Sequence, residues 1–215
     1  MERRRQYYLL IYQVPSKPTA ARVGIWRELK RIGVLYLQQS VCIVPSVRPM
    51  HAHLLRITAR IDALGGDYHL LPIRSLPAEE EAKIINGFLE QRNAQYGEII
   101  ENCEVNFSKE IEFEIFRQNF SYAEAEEIRQ DLDKIRRWYQ RVVELDWFGA
   151  SRREEALGWI SRCEKMLEEF EERVFAVQGD DEAGRHDGMP AVALGRELAS
   201  AIPLPRAKVR RVRRS

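Results

Sequence analysis

Cysteine is scarce in this 215-residue chain, with Cys42, Cys103 and Cys163 the full set. They are odd in number, widely spaced and set in apolar surroundings, which argues against a disulfide framework or a Cys-x-x-Cys metal site. They read as buried thiols in a reducing compartment. Histidine is equally sparse, at four residues, and His51-x-His53 is the one close pair. Residues two apart on a helix do not share a face, and no ligand spacing known for zinc is met, even with Cys42 or His69 added. No Gly-rich phosphate loop, nucleophile elbow or His-Glu-x-x-His helix occurs. Long apolar runs are missing too: none approaches the roughly 18 to 20 residues of a membrane span. The start, MERRRQYYLLIYQ, breaks at Gln13 and Pro15 before a secretory segment could form. These absences lead to the expectation of a soluble cytoplasmic protein without metal or cofactor.

Net charge is also nearly absent, at +1, yet it is unevenly distributed. Residues 1–76 carry a net +8, residues 77–178 a net −10, and residues 179–215 a net +3. A basic face that meets a polyanion explains this partition. Neutralisation of the basic part by the acidic part, within one molecule or a dimer, explains it equally well.

The first 76 residues organise around AARVGIWRELKRIG (20–33). Before it, the aromatic and β-branched run from Gln6 to Val14 stops at Pro15 and reads as a buried strand. Thr19 is expected as the N-cap, and Ala20, Val23, Trp26, Leu29 and Ile32 place an apolar stripe on the helix, with Gly33 as its stop. Val34 to Leu37 and Val41 to Val44 are short strands joined by Gln38-Gln39-Ser40, as a tight hairpin or a kinked strand. A second helix spans residues 50–65, and Tyr68 to Ile73 is the last strand, with Pro72 favouring an edge. The order βαββαβ is that of a ferredoxin-like domain.

From Pro77 the period becomes helical. Ile85, Leu89, Arg92, Tyr96, Ile99 and Cys103 form one seam, residues 128–142 a second and residues 156–177 a third, which predicts a three-helix antiparallel bundle over 77–178. Ser121 to Glu124 and Ser151 to Glu154 both read as capping boxes. EFEIFRQNF (112–120) is expected to be extended or irregular. Trp138, Trp147, Phe148 and Trp159 are expected to pack together in the bundle. The fold class is therefore α+β, a ferredoxin-like domain followed by a helical bundle. Residues 179–215 are expected to be a disordered linker with a cationic end, carrying a short helix over Val192 to Ile202 at most.

Two groups of side chains hold candidate chemistry. Arg22, Arg27, Lys30 and Arg31 populate the first helix, and Arg206, Arg210, Arg211, Arg213 and Arg214 crowd the C-terminal end. Guanidinium groups pair with phosphates or oxyanions, and several together give salt-dependent polyanion binding. The bland alternative is a solvated helix face. Arg92 falls on a bundle seam, where it would need a carboxylate such as Asp131, Asp133, Glu164 or Glu168.

Ala21-Arg22, Trp26-Arg27, Leu29-Lys30, Gly33, Val41 and Pro45 resemble the N-terminal domain of the ChrB family of chromate-resistance regulators. NFSYAEAEEIRQDLDKIRRWYQRVVELDWFGAS, followed by CEKMLEEFEERVF, is similar to that family's helical extension, so the resemblance covers nearly all of residues 6–178. It implies a cytoplasmic, homodimeric, non-enzymatic DNA-binding regulator linked to chromate or another oxyanion. Such proteins often carry a further C-terminal domain, for which little chain follows Val177, and no helix-turn-helix is apparent. DNA contact is therefore expected from the basic first domain and the Arg-rich end. The first domain also resembles the ferredoxin-like module of CRISPR spacer-integration proteins and phenylacetate-pathway repressors, through Gln38-x-Ser40-Val41. Where nuclease-like members place a metal-binding Asp, this chain has Gln13-Val14, and an amide cannot replace that carboxylate. A metal-dependent nuclease or redox enzyme, built on His51, His53, His69 and Cys42, and a protein-interaction module using the bundle remain the rival readings.

Overall fold

The computed structural model describes residues 5–17 and 19–186. Tyr7–Gln13 forms β1, Thr19–Arg31 α1, Leu35–Gln38 β2, Val41–Pro45 β3, Met50–Ala63 α2 and Asp67–Ile73 β4. The strands lie in the order β2-β3-β1-β4, all neighbours antiparallel. This is the ferredoxin-like arrangement. Gln38, Gln39 and Ser40 make a tight hairpin rather than a kink, with Ser40 at φ +67° and a bulge between Tyr36 and Gln38. Pro72 lies on the edge strand β4, where its missing N–H costs no ladder bond.

Alternation along the strands supplies two apolar faces. Leu10, Cys42 and Val44 face α1 and α2, packing with Ile25, Leu29, Leu54, Ile57 and Ile61. Tyr7 and Ile43, with Leu9, Leu35 and Ile73, face the other way. Ile84, Phe88, Trp147 and Phe148 from the helical part cover that second face. The stripe of α1 is offset from the sequence expectation. Ile25 and Leu29 are fully buried, whereas Val23 is 36% exposed and Trp26 48%. A stripe stepping by three residues drifts about 60° per step around an α-helix. The sheet therefore takes Ile25, Leu29 and Ile32, and Trp26 is left on the flank.

The helical layer comprises α3 (Ala78–Glu101), a π-helical segment (Asn102–Phe107), α4 (Ser108–Phe116), α5 (Tyr122–Glu144) and α6 (Arg153–His186). The first three run on without a break, so residues 112–116 are helical and not extended; the chain turns only at Arg117 to Phe120. In the π segment the Ser108 hydroxyl donates to the Cys103 carbonyl at 2.9 Å. The α3 seam starts one residue earlier than its spacing suggested. Ile84 and Phe88 meet the sheet while Leu89 packs on the bundle core, because α3 is sandwiched between the two. Gly87 permits that approach: a Cβ there would lie 2.8 Å from the Leu35 side chain.

Ser121 caps α5 as expected, accepting the Glu124 N–H at 3.2 Å. Ser151 does not cap α6, which begins at Arg153; its hydroxyl donates to Asn93 Oδ1 at 3.4 Å. The four aromatic residues expected to cluster in the bundle divide. Trp138 and Trp159 pack on the bundle core, whereas Trp147 and Phe148 join the sheet and Phe88. Residues up to Gln178 form one compact unit. The helix α6 continues to His186, past Gln178 where a loop was expected. The apolar patch Val192 to Ile202 and the basic residues Arg206, Arg210, Arg211, Arg213 and Arg214 lie outside the described residues.

Candidate nucleic-acid interface

Thirteen residues of α1 contain one acid, Glu28, and Arg60 of α2 is ion-paired to it. Arg22, Arg27, Lys30 and Arg31 are all exposed, and none has a carboxylate within ion-pair distance among the described residues. Their charges are thus available to an anion rather than spent inside the fold.

The four do not form one surface. Arg22 lies on the flank nearest the hairpin, and Trp26 and Lys30 follow at intervals of four residues. Arg22 and Trp26 line a concavity of about 880 Å³ together with Tyr12, Tyr36, Gln38, Gln39 and Ser40. The Lys30 ammonium stands 5.7 Å from the centre of the Tyr36 ring. Arg31 turns the opposite way and lines a separate cavity with Arg48, His53 and Arg56. The sequence supplied the cations but not this division, because their face depends on which stripe the sheet selects.

The hairpin builds the other wall of the first concavity. The Tyr12 N–H donates to the Ser40 carbonyl at 3.0 Å, which ties the turn to the central strand. The Tyr12 and Tyr36 hydroxyls meet at 3.1 Å. Burial raises the pKa of both phenols, and the shared hydrogen bond raises Tyr36 further. Both stay neutral, so the wall beside Arg22 carries no negative charge. It offers an indole and a phenol face, two amides and a hydroxyl. These are groups that stack on bases and donate to phosphate oxygens. Tyr12, Tyr36 and the two glutamines were missed as site residues; the Gln38-x-Ser40 resemblance was the one signal for them.

His51, His53, His69 and Cys42 are not brought together. His51 stacks on Tyr8 with ring centres 5.4 Å apart, His53 bonds to Arg56, and Cys42 is buried between sheet and helices. No group of three or more His, Cys, Asp and Glu among the described residues is placed to hold a metal.

Arg92 is 2% exposed, with Nε and Nη1 lacking hydrogen-bond partners. None of the four expected carboxylates faces it. Burial pulls the guanidinium pKa down, and the charge of Asp146, from the turn between α5 and α6, partly opposes this without an ion pair or hydrogen bond between the two. Asp146 accepts from the Tyr96 hydroxyl at 3.2 Å and from the N–H groups of Gly149 and Ala150 at 3.1 and 3.0 Å. The carboxylate thus fixes the turn that carries Trp147.

No helix among the described residues is long and apolar enough to cross a membrane. Residues 22–181 match the family model described as protein ChrB, N-terminal. No curated protein and no solved structure matches the chain. The match begins at Arg22 and includes all of α1's cations and the turn that seats Trp147, and the chain belongs to the ChrB family, in its N-terminal part.

Proposed function

From this membership in the ChrB family, which ties the chain to chromate resistance, we propose that it is a cytoplasmic, non-enzymatic transcriptional regulator that binds DNA as a homodimer. The observation that carries the reading is the concavity of Arg22, Trp26 and the hairpin: one unpaired guanidinium, with Lys30 nearby over the Tyr36 ring, beside aromatic and amide groups, with no acid on its wall. Arg22 and Lys30 contact phosphates there, and Arg27 adds attraction from the outer face of α1. The basic residues Arg206, Arg210, Arg211, Arg213 and Arg214 contribute a sequence-independent pull. Chromate or another oxyanion is the signal that releases the DNA.

The test is a titration of purified protein against its own upstream DNA and a scrambled duplex, at low and near-physiological salt, with and without chromate. Specific binding is expected, with log K falling by about 0.9 per phosphate contact for each unit of log salt. Arg22→Gln should weaken binding and flatten that slope by about one contact. Binding that ignores ionic strength, or is unchanged in Arg22→Gln, refutes the interface. Light scattering decides the dimer.

A second reading draws on the far end of the bundle. Phe116 is 84% exposed there, and Phe175, Tyr122 and Phe113 are more than half exposed. Exposed aromatic rings of this size favour a protein partner. A partner docked on the bundle predicts that Phe116→Ser with Phe175→Ser abolishes co-purification while leaving DNA affinity intact.

A further inference from the structure

The cavity on the opposite flank of α1 is a different kind of site. It measures about 720 Å³ and lies where α1, the β3–α2 loop and α2 meet the end of α5. Arg31, Arg48 and Arg56 reach it from three separate elements, and none has an ion-pair partner among the described residues. Of the two acids on its wall, Glu28 is neutralised by Arg60, which leaves Glu144 against three guanidinium groups. Arg56 Nη2 lies 2.6 Å from His53 Nδ1. A guanidinium can only donate, so His53 accepts at Nδ1 and its neutral ring carries the proton on Nε2, a further donor. The first turn of α2 also borders the cavity and contains no acid, so its dipole adds to the positive potential.

The rest of the wall is apolar: Met50, Ile57, Leu145 and Trp147. Size and lining together restrict the ligand. One water takes about 30 Å³ of liquid, and a bare tetrahedral oxyanion only a few times that. Pockets for organic ligands run to about 300–1,000 Å³, are mostly apolar with a few placed polar groups, and favour interfaces between structural layers.

We infer that this cavity binds a small organic anion, its phosphate or carboxylate on Arg31, Arg48 and Arg56 and its apolar or aromatic body against Met50, Ile57 and Trp147. The site is separate from the DNA-facing concavity and does not depend on DNA binding. Trp147 belongs to the turn held by Asp146, so an occupant touches both the ferredoxin-like layer and the helical layer. That gives the ligand contacts with two layers at once.

The experiment is a calorimetric titration of the full chain, without DNA, using 1-naphthyl phosphate, 1-naphthol, inorganic phosphate and chromate as separate probes. Naphthyl phosphate is expected to bind once per chain, at least tenfold tighter than any of the other three. Arg48→Gln and Arg56→Gln are each expected to weaken it at least tenfold, with the far-UV spectrum unchanged since both side chains are exposed. Trp147→Phe should remove the accompanying fluorescence change, which separates this site from the other three tryptophans. Equal affinity for bare phosphate or chromate overturns the organic-anion assignment. No binding, or binding unaffected in both arginine variants, overturns the site. Either result leaves the DNA titration to be judged separately.

Discussion

Asp146 is placed to hold three things at once, and removing it should cost a large share of the protein's stability. Its carboxylate accepts the Tyr96 hydroxyl and two backbone N–H groups. Hydrogen bonds to a charged acceptor contribute roughly 1.5–3 kcal/mol each, less what solvent recovers. Its charge also acts on buried Arg92, but without an ion pair or hydrogen bond between them, so losing it costs less than the roughly 3–5 kcal/mol of a contacting buried pair. These terms overlap, so Asp146→Ala is expected to lose about 4 kcal/mol, against roughly 5–15 kcal/mol for a typical domain. Asp146→Asn keeps an acceptor oxygen and should lose about 2 kcal/mol. Arg92→Met removes the buried charge but preserves its length, and should be within about 1 kcal/mol of neutral. The decisive quantity is the double variant. With Arg92 gone, Asp146→Ala no longer strands a cation, so the pair should be less destabilised than Asp146→Ala alone, by about 1–3 kcal/mol. Equilibrium urea unfolding followed by tryptophan fluorescence and circular dichroism reads all four proteins. A cost below about 1 kcal/mol for Asp146→Ala, or strict additivity in the cycle, would falsify the coupling of Asp146 to Arg92.

Three further outcomes follow from the same structure. Gly33 has φ +77°, and a Cβ there would sit 3.1 Å from both Leu145 and Trp147, so Gly33→Ala should lower stability by about 2 kcal/mol and the melting temperature with it. Burial, the Glu81 charge and the Tyr7–Glu81 hydrogen bond raise the Tyr7 pKa from 10.0 to about 12. The folded state therefore holds that proton more tightly than the unfolded chain, and stability present below pH 10 is lost as pH rises towards about 12. Alkaline titration of Tyr7→Phe should show a shallower loss over that window; an unchanged profile rejects the assignment. All three cysteines are fully buried and burial pushes Cys42 up to about 12, so a thiol reagent at neutral pH should label none of them before unfolding and all three after.

The sheet and the helices were readable from the chain because their residues agree locally with their tertiary role. The run YYLLIYQ, the hairpin ended by Pro45 and the heptad spacing of α5 each specify one element without help from a neighbour. What was not readable depends on partners distant in sequence. Trp26 fits a stripe on α1 as well as Ile25 does, and only the sheet chooses between them. Ser151 has the spacing of a cap, but Asn93 competes for its hydroxyl from across the bundle. Arg92 was assigned carboxylates from its bundle neighbours, whereas the opposite charge that acts on it comes from a turn 54 residues along the chain. The basic residues of α1 were legible as a set, and their separation into two flanks was not.

That separation, combined with Gly33, gives the turn between α5 and α6 its importance. Leu145 and Trp147 rest directly against Gly33, just past the end of α1, so any side chain there has to push them aside. Trp147 also touches Phe88 of α3 edge-on, with ring centres 5.6 Å apart. A single indole thus bears on α1, on α3 and on the wall of the cationic cavity. A shift of that turn moves the end of α1, and Arg22, Trp26 and Lys30 with it, since a packed helix moves as a rigid element. Replacing Trp147 with Ala should therefore do more than lower stability. It should weaken DNA binding even though the residue is remote from the Arg22 concavity, and a Trp147→Phe chain, which keeps most of the packing, should restore it. Full DNA affinity in a folded Trp147→Ala chain would mean that the two flanks of α1 act independently.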